Sequence, residues 1–379
     1  MHHFQYGKKP SYKKYPRFDR EKDRFMLDAD RKTPPSRDIK AKPIVRKNEE
    51  RDKTTTVSNI GPIPILLVTY MRSGSSFVGD LLKANPKTFY SFEPLHKLQV
   101  DVRNQRPIYY LDGTLRNPRN FMEISADTIG DLSTCTMENL PLSFYQDGFF
   151  HTCTDSSKFQ LCMNKTKLEA NLEKGRSCIR IITKACRDSE YIVAKIIRIP
   201  LHALESLLKN IPTLKIIHLL RDPRSTLISQ FKAGRYTRDN MQRSVVRFCN
   251  RVYDDINTRE VLNRKYPGRI MVTEYEDIVR EPLTYTKQMY KFSGMKFTKR
   301  VEKEITRLTS KTKTRVNSTV ISSKWRINPL EYIIKSANDN CQQLYTKYGL
   351  KSLNVKDLQN VSISLKVKSA PVFDDFRNE

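Results

Sequence analysis

Apolar residues in this chain cluster in short unbroken runs, and the stretches between them carry helical spacing. Residues 63–70 form the first run, Ile-Pro-Ile-Leu-Leu-Val with Thr69 and Tyr70, and are read as a buried strand. Further strands are read at Phe89–Phe92, at residues 191–198, at residues 214–220 and at residues 270–275. The run at 214–220 is apolar enough to lie centrally in a parallel sheet. Between them, helices are expected over roughly 75–84, 201–209, 225–233, 240–264, 281–292 and 329–347. Asn85-Pro86 stops the first of these, and Gly234 closes the third. Residues 100–190 read as irregular, apart from an amphipathic stretch before Leu140-Pro141. Alternation of strand and helix predicts an α/β fold of three layers around a central parallel sheet.

Composition adds boundaries to that pattern. Residues 1–57 are rich in Lys, Arg, Asp and Pro without periodicity, and read as a basic disordered stem. A folded domain is expected over 58–355, with a Cys-rich insertion at about 130–190, and a tail over 356–379. The chain has 379 residues and a net charge of +28. Roughly 8 of those charges belong to the stem, so most of the excess lies on the folded part. Such a charge favours a polyanionic partner: nucleic acid, an anionic membrane surface or an acidic polysaccharide. The sequence contains no nucleic-acid-binding motif, so an acidic glycan is favoured. No run approaches the ~20 apolar residues of a membrane span.

Cys135, Cys153, Cys162, Cys178 and Cys186 crowd together, while Cys249 and Cys341 stand apart. Without CxxC pairs or neighbouring His they do not suggest zinc. They suggest disulfides with one thiol left over, and hence a secretory compartment. Sequons at Asn164, Asn317 and Asn360 are compatible with that compartment.

The chemistry gathers at predicted strand ends. Arg72-Ser73-Gly74-Ser75-Ser76-Phe77 joins the first strand to its helix, the arrangement that offers backbone N–H groups to an anion. It lacks the Gly-Lys-Ser/Thr of a triphosphate loop. Arg221-Asp222-Pro223-Arg224 ends a second strand, with Ser229 eight residues beyond Arg221. Ligands of open parallel sheets sit at such ends. Two separated basic-plus-hydroxyl clusters suit a ligand phosphorylated at two places, Arg72 and its loop for a 5′ group, Arg221 and Ser229 for a 3′ phosphate.

With these residues in view the chain resembles the Golgi carbohydrate 6-O-sulfotransferases, which use 3′-phosphoadenylyl sulfate (PAPS). Arg72–Phe77 with Phe92-Glu93-Pro94-Leu95-His96 carries the resemblance, although the family's Trp before the His is missing. It extends through Leu219–Ser225 with Ser229, through Tyr275-Glu276-Asp277-Ile278, and through Ser323-Lys324-Trp325-Arg326 with Cys341 and Tyr348-Gly349. The resemblance implies a sulfotransferase fold with a P-loop-like phosphate-binding turn. It implies sulfuryl transfer from PAPS to a sugar hydroxyl of a glycan or glycosaminoglycan, in the Golgi lumen, from a membrane-anchored protein. No anchor is visible in this chain.

Glu93 is expected as the base that takes the hydroxyl proton, beside Arg72 and Lys195 as catalytic residues. PAPS is expected to contact Arg72, Ser73, Gly74, Ser75, Ser76, Phe77, Arg221, Ser229, Tyr275 and Lys324, and no metal is called for. Lys313, Arg315 and Lys324 read as a basic loop over the 3′ phosphate. His96 reads as a surface or packing residue and Trp325 as core. Arg198 lies three residues past Lys195, on the opposite side of an ideal strand, and is left out of the site unless the strand has already ended. Two other readings are open, a non-catalytic heparin- or glycosaminoglycan-binding protein and a kinase with an atypical phosphate loop.

Overall fold

The computed structural model describes residues 61–118, 121–310 and 318–367. The expected stem over 1–57, the sequon at Asn317, and Lys313 and Arg315 lie outside them. Five strands build the main sheet: β1 (Ile63–Val68), β2 (Thr88–Phe92), β3 (Tyr191–Ile196), β4 (Lys215–Leu220) and β5 (Ile270–Glu274). All pair in parallel, in the order β2-β3-β1-β4-β5. The three-layer expectation follows from side-chain alternation along the central strand. Ile65 and Leu67 of β1 join Val78, Leu81 and Leu82 of the helix Ser75–Lys83 in one apolar cluster. Leu66 and Val68 join the cluster on the other face, which reaches into residues 98–186. Both faces are therefore covered, and a strand buried on both sides must be apolar throughout.

Strand order fixes where a ligand can sit. The chain leaves β1 toward β2 on one side of the sheet and leaves β4 toward β5 on the other. The carboxyl ends of β1 and β4, adjacent in the sheet, thus flank a switch point. Because every strand runs the same way, the ends of β2, β3 and β5 open onto the same edge.

Residues 100–190, expected to be irregular, hold helices at Phe121–Ser133, Ser156–Met163 and Leu172–Arg187. In the last of these Gly175, Cys178, Ile179, Ile182 and Cys186 are buried, so half-cystine and glycine occupy the apolar stripe. Cys135–Cys186 and Cys162–Cys178 cross-link this region, and Cys249–Cys341 ties the helix Met241–Lys265 to a break between helices Glu331–Asn340 and Gln342–Tyr348. Cys153 is free and buried.

Two of the boundaries that differ from the sequence reading bear on the site and on the extent of the fold. The strand expected to reach Arg198 ends at Ile196. The tail expected from 356 is integrated into the fold as far as 367: Leu358 is fully buried, and Arg326 donates to the carbonyls of Leu358, Asn360 and Ile363. Among the described residues no helix is long and apolar enough to cross a membrane.

Candidate active site at the carboxyl edge of the sheet

The turn after β1 is built for close backbone approach. Arg72 and Gly74 both have positive φ, 69° and 88°. Gly74 precedes the first residue of the helix Ser75–Lys83, whose opening amides have no partner within the helix. A Cβ on Gly74 would lie 2.2 Å from two ring carbons of Tyr275, so only glycine admits both the conformation and that neighbour. Ser73 is turned inward: fully buried, it donates from both its amide and its hydroxyl to the Tyr70 carbonyl. Its hydroxyl thus braces the turn. Ser75 is also buried, while Ser76 is exposed.

The loop after β4 meets this turn directly. Arg72 Nε donates to Ser229 Oγ at 3.2 Å, and Arg221 Nη1 donates to the Arg72 carbonyl at 2.9 Å. Gln230 Nε2 holds the Met71 carbonyl at 2.9 Å. The two clusters read as separate in sequence therefore form one hydrogen-bonded unit. Tyr275 opens the helix Tyr275–Arg280 instead of ending a strand, and its ring lies 4.5 Å below the Arg221 guanidinium. Pro223 at the first turn and the Asp222 side chain accepting from the Arg224 amide start the helix Pro223–Lys232, which carries Ser229. Arg224 points away from the edge. It is fully buried, paired with Asp222 and bonded to the Lys351 carbonyl.

Glu276, on the same short helix as Tyr275, accepts from the Asp222 amide at 3.2 Å and lies 4.0 Å from Arg221 Nε. Burial, helped by Asp222 and Glu274 and opposed by Arg221, pushes its carboxyl up to about 7. Arg221 Nε and Glu276 Oε2 are buried with no hydrogen-bond partner among the described residues. An unsatisfied buried guanidinium N–H is costly, and the nearest anion to this one is the Glu276 carboxylate.

The third group centres on Glu93, at positive φ of 49° just past β2. Its carboxylate receives Lys195 Nζ at 2.8 Å and Arg198 Nη1 at 2.6 Å, with all three side chains less than a tenth exposed. Because β3 stops at Ile196, Arg198 is released from strand alternation and reaches the edge that Lys195 occupies. Lys195 Nζ also approaches Ser76 Oγ at 3.4 Å, joining this group to the β1 turn. Burial works against ionised Glu93, but Arg198 and Lys195 outweigh it and hold the carboxyl below its ordinary value. Burial lowers Lys195, with Glu93 opposing.

The structure thus brings together Arg72, Gly74, Ser76, Arg221, Ser229, Tyr275, Lys195 and Glu93. Phe77 is partly buried against the core beneath the turn. Lys324, expected on a loop, is exposed on the helix Ser318–Ile327, which packs against the helix of Tyr275. Trp325 is buried in the core as expected. Sequence reasoning missed Glu276, which no periodicity marks, and set aside Arg198 by extending its strand two residues too far.

The chain is 28% identical over 347 residues to carbohydrate sulfotransferase 1 of Danio rerio, covering 79% of this chain and 81% of that protein. It is 27% identical over 345 residues to carbohydrate sulfotransferase 1 of Homo sapiens, covering 79% and 82%. With carbohydrate sulfotransferase 3 of Homo sapiens the identity is 27% over 346 residues, covering 79% and 70%. Among solved structures, the sulfotransferase domain from the curacin biosynthetic pathway aligns with a TM-score of 0.40 and 18% identity, over 76% of this chain and 98% of that one. The sulfotransferase domain family matches residues 62–332, a span that contains both phosphate-loop candidates and the Glu93 group, and the chain belongs to that family.

Proposed function

We propose that this sulfotransferase moves a sulfuryl group from PAPS to the 6-hydroxyl of a sugar in an acidic glycan of the Golgi lumen. The observation that carries the reading is the junction of two anion-ready loops, Arg72 to Ser229 and Arg221 to the Arg72 backbone, beside a buried carboxylate with two cations. Bound PAPS would supply the activated sulfuryl group and a stable bisphosphate leaving group. The fit is supported by the buried Arg221 Nε, which makes no hydrogen bond and has only Glu276 at 4.0 Å, and by the turn that excludes any side chain at Gly74.

In this reading the first amides of the helix Ser75–Lys83 and Arg72 hold the 5′ end, where negative charge grows as the S–O bond to the phosphate breaks. Arg221 and Ser229 hold the 3′ phosphate, with the Tyr275 ring as a wall for the adenine and Lys324 at the rim. The sugar oxygen attacks sulfur in line, and its proton passes to Glu93. Lys195, within reach of both Glu93 and Ser76, exchanges the carboxylate for the sulfuryl oxygens as charge develops. The three disulfides and exposed Asn164 and Asn360 are compatible with a secretory-pathway lumen.

Incubation with sulfur-35-labelled PAPS and a panel of galactose-, N-acetylglucosamine- and N-acetylgalactosamine-bearing oligosaccharides tests the proposal, with disaccharide analysis locating the ester. Label on a 6-hydroxyl is expected. Tight binding of the bisphosphate product with no transfer to any acceptor would leave a binding protein instead.

A further inference from the structure

One turn beyond Glu93 the chain sets up a second polar device that the donor chemistry does not use. His96 Nδ1 lies 3.1 Å from Asp147 Oδ1, and the Asp147 carboxylate is nearly buried. That carboxylate also accepts from the Lys97 amide at 2.6 Å and the Phe149 amide at 2.8 Å. Burial works against the ionised form, but the His96 hydrogen bond and these amides hold the Asp147 carboxyl below its ordinary value. An ionised carboxylate only accepts, so His96 donates from Nδ1, and an imidazole that carries its single N–H there presents Nε2 as an acceptor. The imidazole stays about one-third exposed while its partner is closed off.

The same ring stands 4.6 Å from that of Phe149, which in turn meets Phe92 edge-on at 5.2 Å. Phe92 carries the Lys195 ammonium over its face, 3.6 Å from the ring centre. An unbroken chain of contacts therefore leads from the reacting cation and carboxylate to His96, across two half-buried aromatic rings. Apolar ring faces beside one fixed acceptor are the complement of a sugar, which offers C–H faces and hydroxyl donors.

We propose that His96 and Phe149 form the acceptor-sugar subsite, with His96 Nε2 accepting a hydrogen bond from a sugar hydroxyl and the Phe149 ring bearing the C–H face. This assignment rests on the sulfotransferase reading above, since it supplies that reaction's acceptor. The competing explanation is a purely structural bond, because Asp147 also caps the start of the helix His96–Arg103 through the Lys97 amide.

His96→Asn and His96→Gln separate the two. Asn places its amide donor near the Nδ1 position and keeps the Asp147 bond, but has nothing at Nε2; Gln reaches the Nε2 position. Binding of the oligosaccharides to the bisphosphate-loaded protein is measured by calorimetry, alongside KM, kcat and thermal stability. The expected result for His96→Asn is an acceptor affinity weakened by about three- to tenfold, the worth of one hydrogen bond. Melting temperature, bisphosphate affinity and kcat at saturating acceptor stay at wild-type values, and His96→Gln recovers part of the affinity. Phe149→Leu weakens the acceptor without touching the donor. Wild-type acceptor affinity in His96→Asn, or a loss tracking melting temperature in both His96 variants, would overturn the subsite. Failure of the sulfotransferase reading is seen separately, as absent label transfer by the unaltered protein, and the direct titrations still report on His96.

Discussion

Glu93→Gln is the substitution with the most to say about the mechanism, because it changes one atom in a group held by two buried cations. The carboxylate lies 2.8 Å from Lys195 and 2.6 Å from Arg198, and neither cation has an appreciable route to water. Removing one partner of such a buried ion pair costs about 3–5 kcal/mol of stability, and here the glutamine leaves two cations facing one another. Part of that cost is relieved by deprotonation of Lys195, whose ammonium burial already disfavours. Loss of a general base slows turnover by about 10²–10⁴, or about 3–5 kcal/mol of barrier. Donor affinity should hold, since Glu93 bonds to neither phosphate loop. The sign with pH follows from the lowered carboxyl: its stabilisation is present above the ordinary carboxylate range and lost as pH falls through the depressed value. Glu93→Gln therefore has a flatter stability profile on the acid side than the unaltered protein. Turnover is read as bisphosphate release at saturating donor and acceptor, affinity by calorimetry, and stability by denaturant unfolding. A wild-type rate in Glu93→Gln would refute the assignment of the base, whatever its effect on stability.

Gly74→Ala forces a left-handed alanine, worth about 1–2 kcal/mol, and a Cβ against the Tyr275 ring; calorimetry should show bisphosphate affinity down by at least about tenfold, and unchanged affinity would contradict the cradle. Glu276 competes with a phosphate for Arg221, and its carboxyl is pushed up to about 7 by burial. Bisphosphate affinity should thus fall as pH rises through that value, and Glu276→Gln should flatten the dependence. Alkylation of denatured, unreduced protein should label a single cysteine, Cys153, by peptide mapping. Replacing both Cys249 and Cys341 by Ala removes a cross-link spanning 92 residues, with an expected loss of about 4–5 kcal/mol in denaturant unfolding.

Much of this site could be read from residues alone, and the reasons differ from element to element. The strands of the main sheet announce themselves because burial on both faces demands apolar runs, and parallel pairing then carries their loops to one edge. Arg72, Arg221 and Ser229 were visible because turn chemistry is local. What was hidden depends on contacts between distant segments. Tyr275 opposite Gly74 and the hydrogen bond from Arg72 to Ser229 have no local signature. Arg198 was misplaced because strand ends are set by tertiary hydrogen bonding, and past Ile196 strand alternation no longer dictates which way its side chain points. The helix Leu172–Arg187 escaped notice since its apolar stripe is written in cysteines and glycine, which drew attention as chemistry before periodicity. Ser73 also braces its own turn through its hydroxyl, a bond that no local pattern in the sequence marks.

The central claim is that the Arg72 and Arg221 loops form one clamp for a ligand phosphorylated at both its 5′ and 3′ ends. Titration of adenosine 3′,5′-bisphosphate against AMP, in the unaltered protein and in Arg221→Ala, tests it most directly. The unaltered protein should prefer the bisphosphate by about ten- to hundredfold, the worth of a charged hydrogen bond. Arg221→Ala should bind both nucleotides with nearly equal affinity. Retention of the full preference in Arg221→Ala would contradict the clamp and place the 3′ phosphate elsewhere.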